Sequence, residues 1–287
     1  MRVLLTYNPT AGDDGLDPRE LVAELEASGH DVAAQSVKEE HWERRLGDPL
    51  DLVVVAGGDG TVAKVFKQLA GRSVAAAVVP VGSANNIARS LGYDDVRGQL
   101  IGVGRTRFDI CSLTWNGGSE RFVESAGGGV FAETVARAEG SEAEAGGEDK
   151  VVLGLRRLGD VATDVRAAPW RLDADGADLS GEFVAVEVMN ARLLGPNVPL
   201  APEADPGDGL LDLVLVRRAD AAALAAYAQA RLEDRGATPL RLERHRARRI
   251  VLEAPDGWPI RVDDDLLAGV RGPLTAAVES TLDVVVP

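Results

Sequence analysis

Leu50–Ala56 (LDLVVVA) is an apolar run that ends directly in Gly57-Gly58-Asp59-Gly60-Thr61. An apolar, valine-rich run between turn signals is the pattern of a parallel strand buried on both faces. Thr61–Ala70 then places Val62, Val65, Phe66 and Leu69 at helical spacing. A buried strand, a glycine turn and a helix, in that order, point to an open parallel sheet with helices on its faces. The flanking sequence keeps the alternation. Arg2–Tyr7 reads as a strand that stops at Asn8-Pro9, Pro18–Ser28 as a helix ending at Gly29, and Asp31–Val37 as a second strand. Glu39–Leu46 fits a helix, Val74–Val81 another buried strand, and Ala84–Leu91 a short helix stopped by Gly92.

Past about Asp109 the pattern changes to short strands. Phe108–Trp115, Arg121–Ala126, Trp170–Asp173, Phe183–Asn190, Leu211–Val216, Arg249–Glu253, Ile260–Val262 and Leu282–Val286 are the candidates, many separated by turn signals such as Asn116-Gly117 and Asp175-Gly176. Ala221–Glu233 is the one clear helix of this half, and Ala138–Lys150 reads as an acidic, mobile loop. The expected fold is an α/β nucleotide-binding domain with a parallel sheet over residues 1–110. A β-sandwich-like domain follows over 111–287, with the last strand free to return to the first domain. Two domains also suit a chain of 287 residues.

The glycine turn has a physical use. Glycines allow a sharp turn and close approach of a ligand to the backbone. The free N–H groups of the following helix start favour an anion. The turn is not a phosphate loop ending in Gly-Lys-Ser/Thr, nor a Gly-x-Gly-x-x-Gly fingerprint. Two more polar turns end strands of the same sheet: Asn8-Pro9-Thr10-Ala11-Gly12 and Pro80-Val81-Gly82-Ser83-Ala84-Asn85-Asn86. Open α/β sheets bind ligands at the carboxyl ends of their strands, so three such turns point to a phosphate-bearing ligand. For Asn85-Asn86 a simple helix cap is the alternative.

Charge and composition exclude other classes. The net charge of −15 opposes binding to a nucleic-acid backbone. Cys111 is the only cysteine, and the three histidines lie far apart, which excludes a disulfide framework and argues against a zinc site. No apolar run approaches the roughly 18 residues of a membrane span, and the start has no signal-peptide layout. The expectation is a cytoplasmic protein. Arg241, Arg244, Arg246, Arg248 and Arg249 form the one dense basic run. It fits either contact with an anionic lipid surface or a solvated strand flank paired with acids such as Glu243.

Five blocks in order resemble the diacylglycerol kinase catalytic-domain family, in its soluble bacterial lipid-kinase branch, related to sphingosine kinases and NAD kinases. They are NPTAG (Asn8–Gly12), GGDGT (Gly57–Thr61), PVGSANNIARSLG (Pro80–Gly92), the stretch from Asn190 to Leu213, and HRARRIVLEAPDGWPIRVDDD (His245–Asp265). The resemblance covers nearly the whole chain and implies an ATP-dependent lipid kinase of phospholipid metabolism. Its acceptor would be a hydroxyl of a diacylglycerol-like or long-chain lipid, met at a membrane surface by peripheral contact. Nucleic acid would not be a partner, and a homodimer is one option for the assembly.

The resemblance also assigns roles. ATP phosphates would be held by Asn8, Pro9, Thr10, Ala11, Gly12, Gly57, Gly58, Asp59, Gly60, Thr61, Val62, Ala63 and Lys64, with Ser36 touching the nucleotide and Ser83 adding a hydroxyl. A structural magnesium ion would take Asp205, Asp208 and the carbonyl of Leu210, where the bare residues also read as an acidic turn. Asp263 and Asp265 fall on the family's Asp-Gly-Glu, whose carboxylate is the general base, Asp265 being the closer match. Three places depart from the pattern. Ala63-Lys64 stands for Asn-Glu, Asn86 for an Asp in an acidic network with Asp59 and Asp109, and Asp264 for Gly. They leave room for a nucleotide-binding protein with little turnover. A small-molecule kinase of NAD-kinase type is a further alternative.

Overall fold

The protein is described by a computed structural model over residues 1–12, 16–93, 104–138 and 149–286. The part of the acidic segment at 139–148 lies outside the described residues. Two units emerge.

The first unit comprises Met1–Ile110, Pro206–Asp208 and Glu279–Pro287. Its strands are β1 (Arg2–Tyr7), β2 (Asp31–Ser36), β3 (Leu52–Gly57) and β4 (Ala75–Pro80). All pair in parallel, in the order β4-β3-β1-β2. Helix α1 (Pro18–Ala27) follows β1, and Asp17 caps its start by accepting from the Arg19 amide. Helix α2 (Asp59–Leu69) follows β3, and α3 (Asn86–Ser90) follows β4. Every residue of β3 is buried, as its unbroken apolar sequence requires of a central parallel strand. Helix α2 buries Val62, Val65, Phe66 and Leu69, and Phe66 meets Phe108 edge to face at 5.3 Å. Burial of each such side chain contributes about 1.5–3 kcal/mol. The end of the chain joins this sheet, with Val284 beside Ala76 and Val285 beside Ala77 in parallel register. The Tyr93 hydroxyl donates to the Val285 carbonyl and holds that end in place.

The segment Glu39–Leu46 does not form the expected α-helix. It turns through His41 at φ 57° into a 3-10 helix over Trp42–Gly47, which buries Trp42 and Leu46. The left-handed His41 backbone stops a helix from starting before Trp42.

The second unit comprises Cys111–Asp205 and Gly209–Val278. Strand β5 (Gly104–Trp115) enters it, and β6 (Gly118–Phe122) turns back on β5. There follow β7 (Ser125–Gly129), α4 (Val130–Ala138), α5 (Lys150–Asp164), β8 (Ala168–Ala174), β9 (Ala177–Asp178), β10 (Gly181–Phe183) and β11 (Ala185–Met189). The unit continues with β12 (Leu211–Val216), α6 (Ala221–Leu232), β13 (Glu243–Ala247), β14 (Arg249–Glu253), β15 (Ile260–Val262), β16 (Asp265–Leu267) and the start of β17 (Leu274–Val286). One antiparallel sheet runs β13-β12-β11-β7-β15-β16, and β10-β8-β14-β17 form another antiparallel run. Side chains from both, including Trp170, Leu172, Phe183, Val186, Leu213 and Ile250, make one buried core. This is sandwich packing.

Two helices beyond Ala221–Glu233 cover the other face of the first of these sheets. Helix α5 buries Leu155, Leu158, Val161 and Ala162, and its core includes Leu224 and Ala228 of α6. Gly154 and Gly159 weaken the helical signal in its sequence. A Cβ at Gly154 would come within 3.2 Å of Pro196. Close packing is what that glycine serves.

The expected strand Arg121–Ala126 is two strands, β6 and β7, broken at Val123-Glu124. The break has a local cause. The Asp263 carboxylate takes the amides of Val123, Glu124 and Ser125, at 3.1, 2.9 and 3.4 Å, where a ladder partner would otherwise stand.

Candidate active site

Three turns gather at the carboxyl edge of the parallel sheet in the first unit. After β1, Asn8 Oδ1 accepts from the Thr10 amide at 3.1 Å and the Thr10 hydroxyl at 2.9 Å, which closes an Asx turn. The Asn8 amide donates to the Ala56 carbonyl at 3.1 Å and ties this turn to the end of β3. Gly12 ends the turn at φ 78°, a conformation that favours glycine. After β3, Gly58 is the N-cap of α2 and makes no side-chain cap. A Cβ at Gly57 would stand 2.4 Å from Thr61 Cβ.

After β4, the third turn leans on the second. The Val81 amide donates to the Gly57 carbonyl at 3.2 Å. A Cβ at Gly82 would stand 2.4 Å from Gly58 Cα, so the two turns touch through bare backbone. Asn85 sits in the left-handed region at φ 52°. Its side chain accepts from the Gly82 amide at 2.9 Å and donates to the Gly82 carbonyl at 2.6 Å. This small ring fixes the turn and leaves Ser83 exposed at its tip. Asn85 therefore does not cap α3 with its side chain. Asp59 does so from the neighbouring turn, accepting from the Ile87 amide at 2.9 Å.

Asn8–Gly12, Gly57–Thr61 and Ser83 are thus brought to one edge. Ser36 ends β2 in register with Tyr7. It is buried, and its hydroxyl accepts from the Lys38 amide at 3.2 Å. Val62 and Ala63 are buried within α2. Lys64 turns elsewhere: its Nζ donates to the Val37 carbonyl at 2.8 Å and lies 5.2 Å from the centre of the Trp42 ring. The cation that stands for the family's Glu pins the connection after β2. Of the acidic network, Asn86 is buried, and buried Asp109 accepts from the Thr281 hydroxyl at 2.7 Å.

Asp263 and Asp265 belong to the second unit. Val262 pairs with Asp265, so Asp263-Asp264 is a two-residue hairpin turn between β15 and β16. Asp263 is 6% exposed, at φ 50°, with one carboxylate oxygen given to three amides. Its amide also donates to the Ser125 carbonyl at 2.8 Å. That is the environment of a staple. Asp265 is exposed at the start of β16, and a proton acceptor has to be accessible.

Asp205 and Leu210 fall in the second unit and Asp208 in the first, with both carboxylates exposed. Among the described residues, no group of three or more His, Cys, Asp or Glu side chains is placed to hold a metal ion. In and beside the basic run, an arginine side chain of the run is paired and two of its backbone amides are held. Arg244 pairs with Glu203 at 2.8 Å, Glu243 takes Arg217 at 2.7 Å, and the amides of Arg248 and Arg249 donate to Asp175.

Residues missed in the sequence lie behind the hairpin. Glu187 and Arg261 form a buried ion pair at 2.9 Å, with side chains 0% and 2% exposed. Burial pushes the Glu187 carboxyl up to about 7, against the pull of the Arg261 guanidinium. The signal was a charged residue in the middle of the apolar strand AVEVM (Ala185–Met189).

The fold is thus a parallel α/β unit with glycine turns at its strand ends, together with an antiparallel sandwich unit. The chain belongs to the diacylglycerol kinase catalytic-domain family: residues 2–111 match the diacylglycerol kinase catalytic domain. Residues 129–286 match the YegS C-terminal NAD kinase beta sandwich-like domain. A Pseudomonas aeruginosa (strain UCBPP-PA14) protein named "Probable lipid kinase YegS-like" is 30% identical over 223 residues, 75% of this chain and 71% of the relative. A protein of the same name from Xanthomonas euvesicatoria pv. vesicatoria (strain 85-10) is 31% identical over 233 residues, covering 75% and 72%. The crystal structure of a diacylglycerol kinase from Bacillus anthracis str. Sterne shares the fold, with TM-score 0.67 at 19% identity over 100% of this chain and 97% of that one. No helix among the described residues is long and apolar enough to cross a membrane.

Proposed function

We propose that this member of the lipid-kinase family uses ATP to phosphorylate a hydroxyl of a diacylglycerol-like or long-chain lipid. The observation that carries the reading is the bare-backbone approach of Gly58 and Gly82 at the carboxyl edge of the sheet. Side chains are kept out of the place where a polyphosphate would meet backbone amides. The residues fit ATP in this respect: α2 starts at the glycine turn with no side-chain cap on Gly58, and the partial positive charge of a helix start favours an anion. The turns Asn8–Gly12 and Gly57–Thr61 hold the phosphates in this reading, and the exposed Ser83 adds a hydroxyl.

Phosphoryl transfer rests on positioning and charge neutralisation more than on covalent chemistry by the protein. ATP, when bound, supplies the activated phosphoryl group. Asp265 takes the proton as the acceptor oxygen forms its bond to the γ-phosphorus and the bond from that phosphorus to the bridging oxygen breaks, leaving ADP. Asp263 holds the hairpin that carries this base. A magnesium ion on Asp205, Asp208 and the Leu210 carbonyl belongs to the same reading, and its oxygen donors suit a hard cation.

A nucleotide-binding protein with little turnover is the second reading. The observation that favours it is Lys64, which is committed to the Val37 carbonyl and Trp42 where the family carries an acid. Radiolabelled ATP offered with diacylglycerol micelles, a total lipid extract and NAD decides between them. Label in a lipid product supports the kinase reading. ATP binding with no labelled product supports the second, and label in NAD alone overturns both.

A further inference from the structure

Glu187, Gly127 and Arg261 lie in one row across three strands. Glu187 of β11 is the register partner of Gly127 of β7, and Arg261 of β15 is the register partner of the same glycine. The ion pair therefore spans the middle strand. It can do so only because residue 127 has no side chain: a Cβ there would stand 2.5 Å from Glu187 Oε2. Such a buried pair is weak evidence for stability, since desolvation offsets much of the attraction. It calls for another explanation.

The guanidinium supplies one. Arg261 Nη2 donates to Ser125 Oγ at 2.7 Å and to Glu187 Oε2 at 2.9 Å, while Nη1 donates to the Asp263 carbonyl. Asp263 in turn accepts from the amides of Val123, Glu124 and Ser125. Arg261 thus grips both ends of the staple that fixes the hairpin turn. That turn holds a non-glycine residue at φ 50°, a conformation that persists only where its surroundings enforce it. The next residue but one is Asp265.

We propose that Arg261, held over Gly127 by Glu187, is a positioning residue that sets the Asp263-Asp264 turn and through it the place of Asp265. The inference rests on the assignment of Asp265 as the base. A planar fork with fixed donors suits this task, and a lysine cannot reproduce it. A base displaced by about 1 Å loses on the order of 10²-fold in rate.

The full chain is assayed with ATP and diacylglycerol micelles as wild type, Asp265→Asn, Arg261→Met and Arg261→Lys. Rates are normalised to ATP-binding sites counted by calorimetry, so that misfolded molecules do not contribute. Arg261→Met is expected to lower kcat by 10–100-fold, with ATP affinity within twofold of wild type, and Arg261→Lys to recover only part of the loss. A wild-type kcat per site in either folded Arg261 variant overturns the inference. So does a loss that vanishes on normalisation, because Arg261 then serves only the fold. Wild-type turnover in Asp265→Asn sinks the base assignment instead. Amide hydrogen exchange separates the two failures without any turnover. Both Arg261 variants should exchange faster at 123–125 and 262–267, with α2 unchanged, and unchanged exchange in a folded Arg261→Lys overturns the positioning role by itself.

Discussion

The Asp59 carboxylate caps a helix that is not its own. It opens α2, and its Oδ1 accepts from the Ile87 amide of α3 at 2.9 Å. The second and third turns of the candidate site are thereby coupled through one side chain. Removing a helix cap typically costs about 1 kcal/mol. Asp59→Ala should lower stability by that amount, and equilibrium urea unfolding checks it. A stability within about 0.2 kcal/mol of wild type would show that the bond carries nothing.

Gly82→Ala tests the contact between turns more sharply. The new Cβ would stand 2.4 Å from Gly58 Cα, and backbone has to move to admit it. Overpacking of this kind costs about 1–3 kcal/mol. If the turns hold phosphates, ATP affinity should fall at least tenfold in a protein that still folds. Calorimetry that finds the wild-type Kd would remove the glycine turns from the nucleotide site.

Glu187 sets a pH dependence of stability. Its carboxyl is raised from 4.5 to about 7 in the folded protein, chiefly by burial. The folded state therefore keeps a proton that the unfolded state has lost, and the stability linked to Glu187 is full below about 4.5. It declines as pH rises through about 7, by on the order of 3 kcal/mol in all. Glu187→Gln removes the titration, and its stability should change less across that window. Parallel curves for variant and wild type, from unfolding at a series of pH values, would refute this.

Asp265→Asn should cut lipid phosphorylation by about 10²–10⁴-fold while ATP affinity stays unchanged, as expected for loss of a general base. Asp265→Glu restores the reach found in the family's motif and should retain activity at or above the wild-type level. Steady-state kinetics on both variants is the check. An Asn variant as fast as wild type points to another proton acceptor.

The parallel sheet was readable because its cause is local. Leu52–Ala56 (LVVVA) is buried on both faces and says so in every residue, and the glycines that follow it permit the sharp turn. The same holds for the turn at Asn8, which one side chain closes by itself. Helix α5 was harder to read, because Gly154 and Gly159 lower helix propensity while serving contacts with residues distant in sequence. Lys64 could be read as a departure from the family pattern. That its ammonium faces the Val37 carbonyl depended on where β2 ends relative to α2.

Taken alone, the order of residues determined the parallel α/β unit, the strand-rich second half and the positions of the three glycine turns. These follow from periodicity and from the backbone freedom of single residues, which act over a few positions. Tertiary structure decided which acids are spent and which stand open. Asp263 and Asp265 are two residues apart and chemically identical, yet one is buried against amides at 123–125 and the other faces solvent. It also decided that Glu187 and Arg261, 74 positions apart, meet across Gly127. Burial and hydrogen bonding are properties of the assembled strands, and no short stretch of sequence contains them.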